Sequence, residues 1–173
     1  FAKLSHALQQ YQLEAAEFHP FDSKYDAYLA GQAELSDAER RGLRWFNDER
    51  RGNCAACHPS AKGEDGSPPL FTDFTYDALG VARNMSIAAN ANNAHIDLGL
   101  CKSGRDGRAA QPSECGKFKV PTLRNIALTA PYFHNGKVQS LEEAVRVMAK
   151  LQLNKELTGE QVADITAFLN SLT

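Results

Sequence analysis

The sequence predicts an all-α domain with long loops and a helical N-terminal extension. Amphipathic helical patterns occupy both ends of the 173-residue chain, whereas the middle, from about 59 to 135, has little sustained periodicity. A short cysteine–histidine run lies between the first helical patterns and that middle. With 43% hydrophobic and 23% charged residues, the composition is that of an ordinary globular protein. The length is sufficient for one domain with a sizeable core.

Three helical patterns occupy the N-terminal third. Over 1–18, apolar residues recur at spacings of three and four, which predicts one helix with an apolar stripe. Pro20 breaks this pattern, and a short helix is predicted over 22–30. Ser36 with Glu39 then forms a capping box that begins a third helix.

Two more helices are predicted at the C-terminal end. Their capping pairs are Ser140 with Glu143 and Thr158 with Gln161.

In the third helix of the chain, Gly42 and Phe46 lie one turn apart. We therefore expect a partner helix to approach closely at the glycine and to pack on the aromatic ring.

Charge and hydropathy exclude several classes of protein. The formal net charge of −2 predicts no general affinity for nucleic acid or for anionic membranes. No run of about 18 apolar residues occurs, so no membrane span is expected. No signal peptide is recognisable. Because the chain begins with Phe1 rather than Met, we interpret it as a processed or trimmed product.

The run Cys54-Ala55-Ala56-Cys57-His58 carries the strongest functional signal. In covalent attachment of a c-type haem, two thioethers hold the porphyrin and the adjacent histidine supplies the proximal iron ligand. A zinc half-site would need a second ligand pair at short spacing, and a thioredoxin-like motif would need βαβ flanks. Neither is present, so the sequence predicts one covalent haem c.

A haem also explains the middle of the chain. A structureless stretch of that length would normally count against a compact domain, but loops can pack on the faces of a haem. The helix before the motif and the last helix match the bracketing helices of a class I cytochrome c. We therefore expect a cytochrome c-like haem domain over 34–173, preceded by a helical extension over 1–33.

Position along the chain favours one methionine as the distal iron ligand. The candidates are Met85, Met148, His6, His19, His95 and His134. In a class I arrangement the distal methionine arrives shortly before the C-terminal helix, which favours Met148. Helical spacing alone would instead make Met148 a core residue on the stripe with Leu141 and Val145.

Cys101 and Cys115 flank a polar stretch rich in Gly, Arg, Ser and Pro, which indicates a surface loop. A haem-attachment motif implies export to an oxidising compartment, here the periplasm, and such a compartment permits a disulfide between the two cysteines. The link would close a loop of about 15 residues and contribute roughly 3 kcal/mol. The alternative is two free thiols that happen to flank a loop.

Several segments resemble one bacterial family. The most specific are 118–125 (FKVPTLRN), 128–136 (LTAPYFHNG) and 140–145 (SLEEAV). These segments resemble the C-terminal haem domain of the bacterial diheme cytochrome c peroxidases and their relative MauG. The segment 69–81 and the approach over 27–43 resemble the same family, whereas the stretch between the two loop cysteines looks like an insertion.

The resemblance implies a distal ligand. The family's high-potential haem is ligated by the motif histidine and by a methionine fourteen residues after the histidine that matches His134. The residue at that spacing here is Met148. In MauG a tyrosine takes this position, so the methionine speaks against a MauG-like protein-modifying activity and favours electron relay. A thioether ligand raises the reduction potential, as an electron-accepting site requires.

The resemblance also implies roles for residues beyond the iron ligands. The family binds calcium between its two haem domains through carbonyls at the positions of Thr129 and Pro131, with a side chain from the N-terminal domain; a plain turn is the alternative. Arg124 either neutralises a haem propionate or forms a surface salt bridge. His134 either lies near the haem edge facing the other domain or is a structural hydrogen-bonding residue. Trp45 is expected to pack rather than to relay electrons.

Three functions are compatible with these features. The first is the electron-transfer domain of a diheme cytochrome c peroxidase-family protein that reduces hydrogen peroxide. Such a domain takes electrons from a small donor, a cytochrome c or a cupredoxin, and passes them to an N-terminal peroxidatic haem domain absent from this chain. The second is a stand-alone monohaem electron carrier, and the third is a monohaem enzyme that opens its own distal site.

Overall fold

The fold is mostly helical, as predicted. The computed structural model describes residues 1–18, 20–102 and 111–173. The α-helices in these ranges are α1 (Ala2–Glu14), α2 (Lys24–Leu29), α3 (Asp37–Asn47), α4 (Leu141–Leu153) and α5 (Gly159–Asn170). Between α3 and α4 lie long loops with short 3₁₀ turns. They also hold one antiparallel pair of two-residue strands, β1 (Tyr76–Asp77) and β2 (Phe118–Lys119).

Side-chain caps begin the three main helices of the domain. The Ser36 hydroxyl accepts the N–H of Glu39 at 3.3 Å, and the Glu39 carboxylate accepts the N–H of Ser36 at 2.6 Å. Thr158 and Gln161 form the same reciprocal pair at α5, and Ser140 caps α4 through its hydroxyl. The predicted helix starts are therefore confirmed.

Helices α3 and α5 pack in close contact at Gly42. A methyl group added to Gly42 would overlap the backbone of Asp164 and the Cβ of Phe168 on α5. One turn further along α3, the rings of Phe46 and Phe168 meet edge to face with centroids 5.1 Å apart. Arg41 donates to both carboxylate oxygens of Asp164, at 2.7 and 2.8 Å. The predicted close approach at the glycine is confirmed.

An aromatic cluster forms the centre of the core. The ring of Phe71, contributed by the middle loops, lies 5.7 Å from Tyr25, 6.3 Å from Phe46 and 6.3 Å from Phe168, measured between centroids. Almost completely buried beside it are Leu35, Val162, Ile165 and Leu172. Tyr25 on α2, which lies within the predicted extension over 1–33, thus belongs to this core.

Helix α1 does not contribute to this core. None of its residues is buried. Its apolar side chains Leu4, Leu8, Tyr11 and Leu13 are each more than half exposed. The ring of Phe18, beyond the helix, meets Tyr11 edge to face at 5.5 Å. The sequence therefore predicted the helix, but its apolar stripe covers none of the described core.

The loop cysteines Cys101 and Cys115 are joined in a disulfide, as predicted, with their Cα atoms 4.5 Å apart. Most of the stretch between them, 103–110, lies outside the described residues. Beside the disulfide, the Leu100 N–H donates to the carbonyl of Lys117 at 2.8 Å, which ties this insertion to the start of β2. Among the helices described here, none combines the length and apolarity needed to cross a bilayer.

We expect Gly42→Ala to lower the free energy of unfolding by about 1–3 kcal/mol, because the added methyl group forces α3 and α5 apart. Gly159→Ala is the matched control: nothing lies within 4 Å of a Cβ there. Because alanine has the higher helix propensity, the control should be as stable as the unmodified chain or more so. Urea unfolding measures both variants, and equal losses of stability would contradict the close approach.

Candidate functional site

The C-x-x-C-H run begins soon after α3 ends. It forms the 3₁₀ turn Cys54–Ala56, and the His58 N–H donates to the carbonyl of Cys54 at 2.9 Å. Asn53, just before the turn, has the left-handed φ of 45°. A methyl group at Gly52 would overlap the backbone carbonyl of Trp45. This tight reversal places the motif against the C-terminal end of α3.

The two motif cysteines lack the character of a redox pair. Both are free thiols in the structure. Burial raises the pKa of Cys54 to about 12. Burial, with smaller effects from the carboxylates of Asp73 and Asp77, also raises the pKa of Cys57. Redox C-x-x-C centres depend on a lowered thiol pKa. These surroundings therefore do not match those of a redox C-x-x-C centre.

One backbone carbonyl orients His58. The ring atom Nδ1 lies 2.7 Å from the carbonyl oxygen of Phe71. Because a carbonyl oxygen only accepts, Nδ1 carries the proton and Nε2 is the nitrogen available to a metal. Burial lowers the pKa of His58, opposed by the bond to Phe71 and by the charge of Asp73. The imidazole is therefore neutral at pH 7, which is the form that binds iron.

Residues 69–74 form a strap that holds this carbonyl in place. Within the strap, Phe71 has a φ of 52°, which side-chain-bearing residues seldom adopt. The next residue, Thr72, is buried, and its hydroxyl donates to the carbonyl of Val120 at 2.7 Å. The carbonyl that orients the histidine is thus fixed by a segment far away in sequence.

A cavity of about 440 Å³ brings the predicted ligands together. Cys54, Cys57 and His58 line it from the motif, and Met148 lines it from α4. Three further predicted residues line the same cavity: Thr129, Pro131 and His134. Most of the remaining wall is apolar, as is usual for a cofactor pocket.

The donor set fits a c-type haem. Two thiols can form thioethers, and an imidazole and a thioether sulfur are established axial ligands of haem iron. The cavity volume also falls within the range of about 300–1,000 Å³ typical of cofactor sites. Zinc does not fit, because Cys101 and Cys115 are occupied by their disulfide. Within the described ranges, no cluster of three or more His, Cys, Asp or Glu side chains is suited to a metal ion.

Of the other candidates for the distal ligand, His134 also lines the cavity, whereas Met85, His95 and His6 do not. Met85 is 61% exposed and does not line the cavity. His95 is hydrogen-bonded to Asn90, with 3.1 Å between Nδ1 and the amide oxygen. His6 is exposed on α1, and His19 lies outside the described residues. Met148 is thus the one methionine at the cavity.

Arg124 does not line the cavity and forms a salt bridge instead. Its guanidinium donates to both carboxylate oxygens of Asp26 at 2.8 and 2.9 Å, and its Nε donates to the carbonyl of Pro69 at 2.9 Å. With side-chain exposures of 15% and 9%, the pair is largely buried rather than superficial. Burial alone would raise the pKa of Asp26, but hydrogen bonds from Arg124 and Ser23 outweigh it and lower the pKa. The propionate role of Arg124 stays a prediction.

His134 and Trp45 both have aromatic or cationic packing partners. The imidazole of His134 stacks on Phe118, with ring centroids 3.6 Å and planes 7° apart. Burial lowers the pKa of His134, opposed by the charge of Asp97. Trp45 packs against the core with the guanidinium of Arg51 4.4 Å from its ring centroid. This arrangement supports the packing role predicted for Trp45.

Comparison with known proteins gives relatives for almost the whole chain. No protein-family model matches it. MauG of Paracoccus denitrificans is 37% identical over 147 residues, which cover 84% of this chain and 36% of MauG. The cytochrome c551 peroxidase of Pseudomonas aeruginosa is 34% identical over 177 residues, covering 100% of this chain and 44% of that protein. The chain thus spans less than half the length of these relatives.

Solved structures with similar folds lead to the same group. The diheme peroxidase BthA from Burkholderia thailandensis aligns with a TM-score of 0.80 and 32% identity, over 92% of this chain and 48% of BthA. A MauG-like protein associated with microbial copper homeostasis aligns with a TM-score of 0.61 and 31% identity, over 88% of this chain and 48% of that chain.

Together, the fold and the site define a helical, cytochrome c-like haem-binding domain. The chain belongs to the family of MauG and the diheme cytochrome c peroxidases, and it corresponds to their C-terminal half. The resemblance inferred from the three segments between 118 and 145 is therefore confirmed. Haem as the cofactor is confirmed with it.

Three residues of the site were not found by sequence reasoning. They are Phe71, Thr72 and Asp26. Their partners lie 13, 48 and 98 residues away along the chain. No local pattern marks such residues, because a long-range hydrogen bond leaves no periodic signal in a loop.

We expect Asp26→Asn to lower the free energy of unfolding by about 3 kcal/mol at neutral pH, because Arg124 then stays buried without its counter-charge. The folded-state pKa of Asp26 is lowered. Its contribution is therefore present above the unfolded pKa and is lost as the pH falls through the folded pKa. Below about pH 4, the unmodified chain should lose stability more steeply than the variant.

Urea unfolding at a series of pH values measures this difference. Asp37→Asn is the matched control: the exposed pair with Arg40 also lowers the pKa of Asp37, but solvent screens it, so stability and its pH dependence should change much less than in Asp26→Asn. Superimposable pH profiles for Asp26→Asn and the unmodified chain would show that the buried pair does not carry the effect.

Proposed function

We propose that the chain is the electron-transfer domain of a diheme cytochrome c peroxidase-family protein. It carries one covalent haem c, to which Cys54 and Cys57 form thioethers. His58 and Met148 supply the two axial ligands. The observation that carries this proposal is the single cavity at which these four side chains converge.

Met148 favours electron relay over catalysis. When bound, a haem supplies one-electron exchange between two oxidation states of its iron. The thioether of Met148 favours the reduced state and thereby raises the reduction potential. If His58 and Met148 both hold the iron, peroxide would have no ligand position to take, and peroxide reduction would fall to another site in the whole protein.

Two protein partners belong to this role. A small donor, a cytochrome c or a cupredoxin, supplies electrons, and an N-terminal haem domain receives them at its peroxidatic site. A second domain is supported by the relatives, in which more than half of the length lies outside the aligned region. The exposed apolar side chains of α1, such as Leu4 and Leu8, also favour a partner domain over a stand-alone carrier.

The proposed location is the periplasm. Covalent haem attachment belongs to exported proteins, and the disulfide between Cys101 and Cys115 suits an oxidising compartment.

A calcium ion is proposed at the backbone carbonyls of Thr129 and Pro131, beside the cis peptide bond that precedes Pro131. Its remaining ligands come from the N-terminal domain.

Met148→Ala should abolish the weak far-red sulfur-to-iron absorption band of the oxidised holoprotein and lower its reduction potential, because the thioether ligand is lost. Met85→Ala is the matched control, since that side chain is 61% exposed. Acid–acetone treatment should leave the haem on the chain in both variants, because thioethers survive it.

Loss of the band in Met85→Ala, with Met148→Ala unchanged, would falsify the ligand assignment. Extraction of free haem by acid–acetone, or the presence of zinc instead of haem, would contradict covalent attachment.

The chain alone should accept electrons readily but reduce hydrogen peroxide slowly. A longer chain that includes the N-terminal haem domain should be faster by orders of magnitude, with this domain reoxidised in each cycle. Steady-state peroxide reduction with a reduced cytochrome or dye as donor compares the two. High turnover by the shorter chain, with Met148 spectroscopically bound throughout, would favour a monohaem enzyme over the relay.

A further inference from the structure

Arg83 has a buried donor atom without an acceptor. Its Nη2 is shielded from solvent, and no hydrogen-bond acceptor among the described residues reaches it. An arginine side chain stays charged at any physiological pH. Leaving a donor of a charged group buried and unpaired is strongly unfavourable. This arrangement indicates an acceptor that the described residues do not supply.

The neighbours of Arg83 are attached to the wall of the cavity. Asn84 donates from its side-chain amide to the carbonyl of Asn135 at 2.9 Å, and Asn135 donates from its own amide to the carbonyl of Ala82 at 2.9 Å. Asn135 directly follows His134, which lines the cavity. Hydrogen bonds on both sides of Arg83 thus hold it next to the cavity-lining loop.

The chain on the other side of Arg83 is also near the cavity, because Leu79 lines it four residues earlier. Arg124, which the sequence suggested for binding a carboxylate of the cofactor, is already engaged. Its two Nη atoms donate to the carboxylate of Asp26, and its Nε donates to the carbonyl of Pro69. Neither arginine lines the cavity, but Arg83 keeps a buried donor beside it that is unpaired among the described residues, whereas the donors of Arg124 are already bound.

We propose that Arg83 binds a propionate carboxylate of the haem. The inference rests on the haem attachment proposed above. A carboxylate matches the planar fork of a guanidinium and provides the acceptor that Nη2 lacks. The positive charge keeps the propionate ionised and offsets its negative charge at the iron. Both effects are measurable without reference to peroxide turnover.

In the holoprotein, Arg83→Gln should lower the one-electron reduction potential by about 59 mV. This corresponds to about a tenfold rise in the ratio of oxidised to reduced protein at a fixed potential. The propionate pKa should rise when its cationic partner is lost. The potential of the variant should therefore increase on acidification over a range in which the unmodified chain shows a flat profile. Arg83→Lys keeps the charge and should restore most of the potential.

Arg146→Gln is the matched control for net charge. Arg146 is exposed on α4, two residues before Met148, so water and salt screen its charge and the potential should change little. Spectroelectrochemical titration over a range of pH compares all variants. Each sample is first checked for covalent haem and for the far-red methionine band.

An unchanged potential and pH profile in Arg83→Gln, with the covalent haem and the methionine band intact, would overturn the role of Arg83 and leave the haem proposal standing. The same shift in Arg124→Gln but not in Arg83→Gln would overturn it as well. A chain without covalent haem would overturn both proposals. If Arg83→Gln does not accumulate, redox-difference infrared spectra of the unmodified chain decide: a protonated propionate band in the range of flat potential contradicts the pairing.

Discussion

The hydrogen bond from His58 Nδ1 to the carbonyl of Phe71 couples the ligand site to the hydrophobic core. The ring of Phe71 is 1% exposed and packs among Tyr25, Phe46 and Phe168. Its backbone is left-handed, which costs a residue with a side chain of order 1–3 kcal/mol. The aromatic core holds that conformation in place. Orientation of the imidazole and packing of the core are therefore one constraint, and neither can change without the other.

Hydrogen bonds between distant loops also explain how the site is held with so little sheet, a single described pair of two-residue strands. The strap over 69–74 is bound to the segment 118–125 by side chains that donate to backbone carbonyls. These bonds run from Thr72 to Val120, from Thr122 to Leu70 and from Arg124 to Pro69. Each one satisfies a carbonyl that a regular strand or helix would have paired. Because 118–125 also contributes lining residues, the same bonds link the cavity wall to the strap that orients the histidine.

Two features lack a partner among the described residues: a buried donor of Arg83 and the apolar side chains of α1. Arg124 is paired with Asp26, whereas the buried Nη2 of Arg83 has no acceptor among the residues that the structure describes. Helix α1 presents apolar side chains that cover none of this domain's core. A cofactor carboxylate would complete the first feature and a second domain the second. Both completions agree with a chain that aligns with less than half of its two-haem relatives.

The helix starts, the C-x-x-C-H haem-attachment motif and the family resemblance could be predicted from the sequence, because each depends on residues a few positions apart. The contact at Gly42 followed from helical spacing, and the presence of Met148 at the cavity agrees with its position before the last helix and with the family resemblance. The pairing of Arg124 with Asp26 and the exposure of α1 became evident only from the folded chain. An apolar stripe has the same period whether or not a partner covers it. Charge pairs between loops depend on where distant segments meet, and no local pattern in the sequence records that.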